Sequence, residues 1–428
     1  MTDSPLFVAD LIASAGLGGF FFDDQTAIKS GAERDGVTYR GAAVTPGYQS
    51  IREPAESVSI LLVLSDGYIA TGDCASVQYS GVGGRQPRFH APQLAHALET
   101  ELAPLLRGLD VTNFRTAAQT AESLIDSVLA GSVEGLGRPA AYGVSQALLD
   151  AASHAAGHHL MARSAHDEWN LSNPLTTVPI YSQSGEDRYS NVDKMILKNV
   201  QVLPHGLINT RALVGTDGET LEAYITWIRD RITALSTNPD YFPVFHIDVY
   251  GQIGVEAEGS IEKTADILQR LERAAGPHEL RIEHPIDAGS RDGQIEVLGA
   301  LRRLLRERGS RVGIVADEWA NTAEDIHLFV SAQAADLVQI KTPDLGSIHH
   351  TIDAILDCQA HAVGTVLGGS CTETDRSART TVHIGIATGV TQMLAKPGMG
   401  VDEGLSIVTN EMNRALRLDR YLRENRSA

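Results

Sequence analysis

Lysine is rare in this chain: six of its 35 basic residues are lysines and 29 are arginines. A solvated cation is therefore most simply an arginine, and a lysine that closes an apolar run asks for another reason. Positive charge is short overall. With 54 acidic residues the formal net charge is −19, which excludes the clustered basic face that a phosphate backbone requires, so no nucleic-acid partner is expected. The acid excess also fits a salt-rich cytoplasm or a GC-rich genome, and both readings stay open. Cysteine is nearly absent. Cys74, Cys358 and Cys371 are odd in number and far apart, so no disulfide framework is expected and a reducing cytoplasm suits the chain. No apolar run approaches a membrane span, and Met1 to Phe21 has no basic segment ahead of an apolar core. Neither a membrane anchor nor a secretory leader is expected.

The 428 residues suffice for two domains or for one barrel with additions. From Ser57 to Ala75 two apolar runs meet at Ser65-Asp66-Gly67, a turn-forming trio between strands. Helical patterns follow. Leu94, Leu98, Leu102 and Leu105 share one face, "AAQTAESLIDSVLAG" is expected to stop at Gly131, and "VSQALLDAASHAAGHHLMA" forms a third helix. These elements make an α+β domain over residues 1–170. After "NPLTTVPIY" short apolar strands alternate with helical segments, with strand ends near Gln183, His205, Tyr250, Glu283, Asp317, Lys341, Leu367 and Leu394. Eight such units predict a (β/α)8 barrel over residues 171–400, with its working residues at the C-terminal strand ends. The last segment, 401–428, has helical spacing and is expected to pack back across both domains.

Three of those strand ends carry a carboxylate and a fourth carries the unexplained lysine. Asp248, Glu283, Asp317 and Lys341 follow one another in steps of 35, 34 and 24 residues, each about one βα unit. Successive strands would thus aim three acids and Lys341 at a common mouth. The acids would repel one another there, and a divalent cation removes the repulsion. All-oxygen ligation favours Mg²⁺ or Mn²⁺ over zinc. Lysine differs from arginine in that burial or a nearby cation can make it a neutral base. Two duller readings remain: solvated loop charges, or a structural ion pair between Lys341 and one acid, although burying such a pair is a poor source of stability.

Other signals are weaker. His154 and His158 stand one helical turn apart, but the Glu of H-E-x-x-H and a third ligand are lacking. Cys371 has no oriented His-acid pair that would make it a nucleophile. The glycine-rich "AGLGGFFFDD" and "SGVGGR" lack a phosphate-loop lysine and read as mobile loops able to close over the barrel mouth.

Longer motifs narrow the reading. The Asp, Glu, Asp series followed by lysine resembles the enolase superfamily. "QSGEDRYSNVDKMILK", "VLPHGLIN", "IEHPID", "ADEWANT", "QIKTPDLG", "GGSCTETDRS" and "QMLAKPGMGVDEG", with "FFFDDQTAIKSGA" and "GDCASVQYSGVGGR", closely resemble the methylaspartate ammonia-lyase family over nearly the whole chain. The resemblance implies a superfamily barrel with an N-terminal capping domain and reversible elimination of ammonia from 3-methylaspartate to give mesaconate. It also implies a magnesium site at Asp248, Glu283 and Asp317, a monovalent cation such as K⁺, and a homodimer. Loss of the C3 proton to Lys341 places a second negative charge on the C4 carboxylate, which the magnesium site would stabilise and beside which the pKa of Lys341 would fall.

His205 is most simply a polar loop residue, but the resemblance implies a hydrogen bond to the C4 carboxylate and acid/base action on the opposite diastereoface. Gln339 lies two residues before Lys341, hence on the same strand face, and is a second donor to that carboxylate unless it only satisfies neighbouring backbone. Gln183 and the backbone N–H groups around Ser370 and Cys371 are expected at the other substrate carboxylate, if Gly-Gly there is more than a tight turn. The resemblance sets threonine at Ser370 and tyrosine at Val366. It therefore implies a wider alkyl pocket, with Tyr181 and Leu394 as its other walls. Two rivals remain: another proton abstraction of the superfamily, such as racemisation or dehydration, and a catalytically silent metabolite-binding protein.

Overall fold

The computed structural model describes residues 6–129 and 136–426. The helix stop expected at Gly131 lies outside the described residues. In the N-terminal part, β1 (Val8–Asp23) pairs antiparallel with β4 (Arg52–Leu64), which pairs antiparallel with β5 (Ile69–Cys74); β2 (Glu33–Asp35) and β3 (Thr38–Arg40) form a separate short hairpin. In β4 the alternating residues Val58, Ile60, Leu62 and Leu64 are fully buried, the period-2 pattern of a strand with one face on a core. The β4–β5 turn falls at Ser65-Asp66-Gly67 as expected, with Gly67 at φ 88°. Helix Gly137–Ala155 packs against β4 and β5 on one side and against the barrel helices on the other. That sandwich explains why it is buried almost all round rather than along one stripe.

The second part is a closed parallel barrel. Its strands are β6 (Ile180–Tyr181), β7 (Val202–His205), β8 (Val244–Asp248), β9 (Leu280–Glu283), β10 (Gly313–Ala316), β11 (Leu337–Ile340), β12 (Gly364–Leu367) and β13 (Gln392–Leu394), neighbours in chain order around the ring. These strands are buried on both faces, as parallel strands under a helical shell must be. Tyr181, Val202, Val315, Leu337, Val366 and Leu394 fill the barrel interior. Just past or at the ends of four successive strands, His205 (φ 66°), Tyr250 (φ 50°), His284 (φ 51°) and Trp319 (φ 72°) hold left-handed backbone. Non-glycine side chains adopt it at a cost, and such strain gathers at functional sites.

Helix Asp402–Arg426 lies on helix Asp375–Thr388 and β6. It also reaches the N-terminal part, where Arg163 donates to the buried Asp419 at 2.6 Å. Among the described residues no helix is long and apolar enough to cross a membrane. All three cysteines are free and buried.

One sequence expectation fails here. "AGLGGFFFDD" is not a loop: it belongs almost wholly to β1. Its glycines serve close approach, for a Cβ on Gly18 would come within 2.2 Å of the Thr372 carbonyl, and one on Gly19 within 2.4 Å of Pro397. "SGVGGR" is a loop, but Arg85 anchors it: the left-handed Gly81, Gly83 and Gly84 turn the chain so that this arginine enters the barrel mouth.

Candidate active site

The ends of β8 and β9 and the residue after β10 bring Asp248, Glu283 and Asp317 together, each buried, with a carboxylate oxygen from each within 4.8 Å of the others. Lys341, one residue past β11, donates to Asp317 at 2.7 Å. Gln339 donates to Glu283 at 3.2 Å from the same strand. His205 Nε2 is 3.5 Å from Asp248, while its buried Nδ1 has no hydrogen-bond partner. Gln183, His205, Gln339, Lys341, Ser370, Cys371 and Leu394 line one cavity with Asp248 and Glu283.

The acids repel as expected. Burial, then Asp248 and Asp317, push Glu283 well above the usual carboxylate range; burial also raises Asp317 against the pull of Lys341. Three buried oxygen donors crowded together fit a hard dication of the Mg²⁺ type, which would offset their mutual repulsion. Lys341 departs from the sequence expectation. Burial and Arg85 push its pKa down, but Asp317, Glu318 and Glu283 outweigh them and hold it above the ordinary lysine value. The protein's side chains alone therefore do not lower it. Positive charge taken up by Asp317 and Glu283 would offset two of the three acids that hold it up and leave only Glu318 against burial and Arg85.

Two expected pocket walls are misplaced. Tyr181 is fully buried and stacks on His246 at 4.3 Å, and Val366 is fully buried in the barrel interior; neither lines the cavity. Both point into the barrel interior, where Val366 lies in register with Gln339 and Tyr181 with Leu394, and it is these two neighbours that reach the cavity. The role expected of the Ser370 N–H is also corrected, since it donates to Glu373 at 2.7 Å. Glu373 in turn receives Lys396 at 2.8 Å and the Tyr142 hydroxyl. The Ser370 hydroxyl accepts from Gln78 N–H at 3.0 Å and lies 2.8 Å from Thr372 Oγ1, whose own proton goes to the Ser76 carbonyl. Burial raises the Cys371 thiol, against a nucleophilic role. His154 pairs with Asp66 and stacks on Tyr68, while His158 bonds Ser164, so the two do not converge.

Family models for the N-terminus and the C-terminus of methylaspartate ammonia-lyase match residues 6–170 and 173–421. The chain belongs to the methylaspartate ammonia-lyase family. It is 48% identical over 414 residues to methylaspartate ammonia-lyase of Clostridium tetanomorphum, covering 96% of this chain and 98% of that one. The crystal structure of the C. tetanomorphum β-methylaspartase Mg complex superposes with a TM-score of 0.89 at 48% identity, over 97% of this chain and 99% of that chain. The Citrobacter amalonaticus methylaspartate ammonia-lyase structure containing (2S,3S)-3-methylaspartic acid gives 0.92 at 46% identity, over 97% and 100%.

Three residues of this family member escape a strand-end reading. Gln78, just beyond β5, lines the cavity, accepts from the Cys371 thiol at 3.4 Å and donates to Asp23 at 2.7 Å. Arg85 comes from the same stretch and pairs with Glu318, with Asp344 at 2.8 Å and with Asp317 at 3.9 Å. His246 accepts at Nδ1 from Gln392 and therefore donates from Nε2 to Glu283 at 2.7 Å, which fixes that carboxylate. Its signal was present: His246 lies two residues before Asp248 and so shares its strand face.

Gly19 seats β1 against the 370–373 turn, its N–H donating to Glu373 O at 2.9 Å. Gly19→Ala should shift that turn and raise KM several-fold while changing kcat little, since the displaced groups bind rather than react. Steady-state kinetics with unchanged circular dichroism checks this; an unaltered KM would mean that the turn does not touch substrate.

Proposed function

We propose that this chain is a magnesium-dependent carbon–nitrogen lyase that removes ammonia reversibly from (2S,3S)-3-methylaspartate to give mesaconate. The observation that carries the reading is a part-buried lysine that donates to one of three converging buried carboxylates, in one cavity with Gln183, His205 and Gln339. Asp248, Glu283 and Asp317 would hold the dication, with His246 and Gln339 fixing Glu283. When bound, it supplies positive charge against the substrate carboxylate onto which negative charge moves as C3 loses its proton.

Lys341, as the neutral amine, takes the C3 proton of the (2S,3S) substrate. The C–H electron pair enters the C3–C4 bond and then forms the C2–C3 double bond as the C2–N pair leaves with ammonia. His205 faces the substrate from another strand end, donates to its C4 carboxylate and serves as acid/base for the opposite diastereoface. Gln339 adds a second donor to that carboxylate. Gln183, the Ser370 hydroxyl, Cys371 and Gln78 surround the other one, and Leu394 bounds the alkyl group. The same reading takes residues 1–170 as the cap, 171–400 as the barrel and 401–428 as the tail. It also includes a K⁺-type monovalent cation, tolerance of Mn²⁺, a homodimer and a cytoplasmic location. Incubation with 3-methylaspartate, following mesaconate absorbance and ammonia together, tests the activity. Equal release of both supports it, and racemisation without ammonia would favour the superfamily rival.

Val366, in one interior cluster with Leu394, tests the alkyl specificity. A tyrosine there adds bulk to the cluster that Leu394 shares, and Leu394 lines the cavity. Val366→Tyr should therefore lower kcat/KM for 3-ethylaspartate relative to 3-methylaspartate, by an amount in the range of about 1–3 kcal/mol that a methylene is worth in such a pocket. An unchanged ratio would show that bulk in this buried layer is not felt by substrate.

A further inference from the structure

A second convergence of ligand-type side chains lies away from the barrel mouth, where the N-terminal helix Phe114–Leu129 crosses the barrel helix Ile348–Ala360. Glu122 from the first helix meets His349 and His350 from the second, and one ligand atom from each lies within 4.8 Å of the others. The Glu122 carboxylate is 2.9 Å from His350 Nε2 and 3.5 Å from His349 Nε2. An ordinary ion pair with His350 would use one imidazole. It leaves His349 unexplained, because a contact of 3.5 Å is too long for a strong hydrogen bond.

The surroundings favour a ligand role for that second imidazole. His349 is 3% exposed, and its Nδ1 is bound to Ser347 Oγ at 2.7 Å. A hydrogen bond at one ring nitrogen orients the other, as around ligating histidines; here Nε2 is turned to the carboxylate. The two imidazoles lie 4.0 Å apart at 40° rather than stacked flat. Asp126 and Asp353 stand one turn along their respective helices and add negative charge, with Arg115, 3.8 Å from Asp353, as the opposing cation.

We propose that Glu122, His349 and His350 form a second metal site, for a borderline transition-metal ion of the Zn²⁺ class, which fastens the N-terminal part to the barrel. Two imidazole nitrogens and one carboxylate oxygen are a recurrent zinc donor set with a fourth position left to water, and a hard ion such as Mg²⁺ prefers oxygen alone. The site therefore differs in kind from the three-carboxylate cluster. Its position gives it a role: it joins the N-terminal layer to the helix that follows the Lys341 strand end.

The test is a Zn²⁺ titration of the intact, Mg²⁺-saturated enzyme against a chromophoric chelator, with Co²⁺ visible absorption as a second readout. The wild type should hold one Zn²⁺ equivalent that excess Mg²⁺ does not displace. Glu122→Gln and the half-exposed His350→Gln should each bind it at least roughly tenfold more weakly and lose the Co²⁺ band, while elimination with Mg²⁺ alone is retained as proof of folding. Asp317→Asn should keep this equivalent. A wild type without a Mg²⁺-resistant equivalent, or a His350→Gln variant that binds Zn²⁺ as tightly as the wild type, would overturn the proposal.

Discussion

Lys341→Ala is expected to lose elimination of (2S,3S)-3-methylaspartate by about 10²–10⁴-fold, the usual worth of a positioned general base, while still folding and binding Mg²⁺. Lys341→Arg should fail nearly as badly. Guanidinium keeps the positive charge beside Asp317 but cannot give up its proton near neutral pH, and it would also have to fit close to Arg85. The pair of variants separates a base from a structural cation, which Lys341→Arg would replace in part. Exchange of the C3 hydrogen with solvent deuterium reads the proton-transfer step directly and should fall with turnover in both. His205→Ala should cost relatively more with the (2S,3R) diastereomer, which presents its C3 proton to the other face, although a lost carboxylate contact weakens both reactions. Near-wild-type (2S,3S) elimination and exchange in Lys341→Ala would mean that the 2.7 Å pair with Asp317 is structural.

Asp317→Asn carries the second large effect. It keeps the shape of the side chain but removes one of three negative charges and the direct partner of Lys341. Turnover should fall by at least about 10²-fold, comparable to the loss of a preorganised charge-stabilising group, and Mg²⁺ should bind more weakly. Chelator treatment of the wild type should abolish activity, and added Mg²⁺ should restore it. Thermal stability should fall far less than turnover. Burial and neighbouring acids push Glu283 well up and raise Asp317, so removing one charge relieves crowding while it costs Lys341 its 2.7 Å partner. Calorimetry of the metal-stripped proteins checks this point, and full activity of chelator-treated enzyme would exclude the metal mechanism.

The serial acids and Lys341 were legible because a parallel barrel turns chain order into spatial order: one residue per strand end suffices to place a ring. Contacts across the seam were not legible. Gln78 and Arg85 reach the cavity from a part of the chain whose pattern reads only as sheet and loop, and nothing local shows which barrel residue each will meet. The glycines of "AGLGG" were misread for a related reason. Lack of a Cβ permits both mobility and close approach, and only the nearness of Thr372 and Pro397 decides between them. Parity sent Tyr181 and Val366 inward, but the cavity is reached by their neighbours in the ring, Leu394 and Gln339, and chain order does not mark which of two paired inward residues will reach it.

The cavity wall formed by Gln78 and Arg85 bears on how the enzyme wears out. A catalyst whose reactive ring stands on one layer and whose lid-side groups stand on another can stop working without melting. Sliding the layers by about an ångström would be enough, because misplacements of that size already cost large factors in rate. Shelf life and heat inactivation should therefore track the grip between layers rather than the barrel's own unfolding, and mutations that tighten that grip, far from any reacting atom, are where durability can be gained.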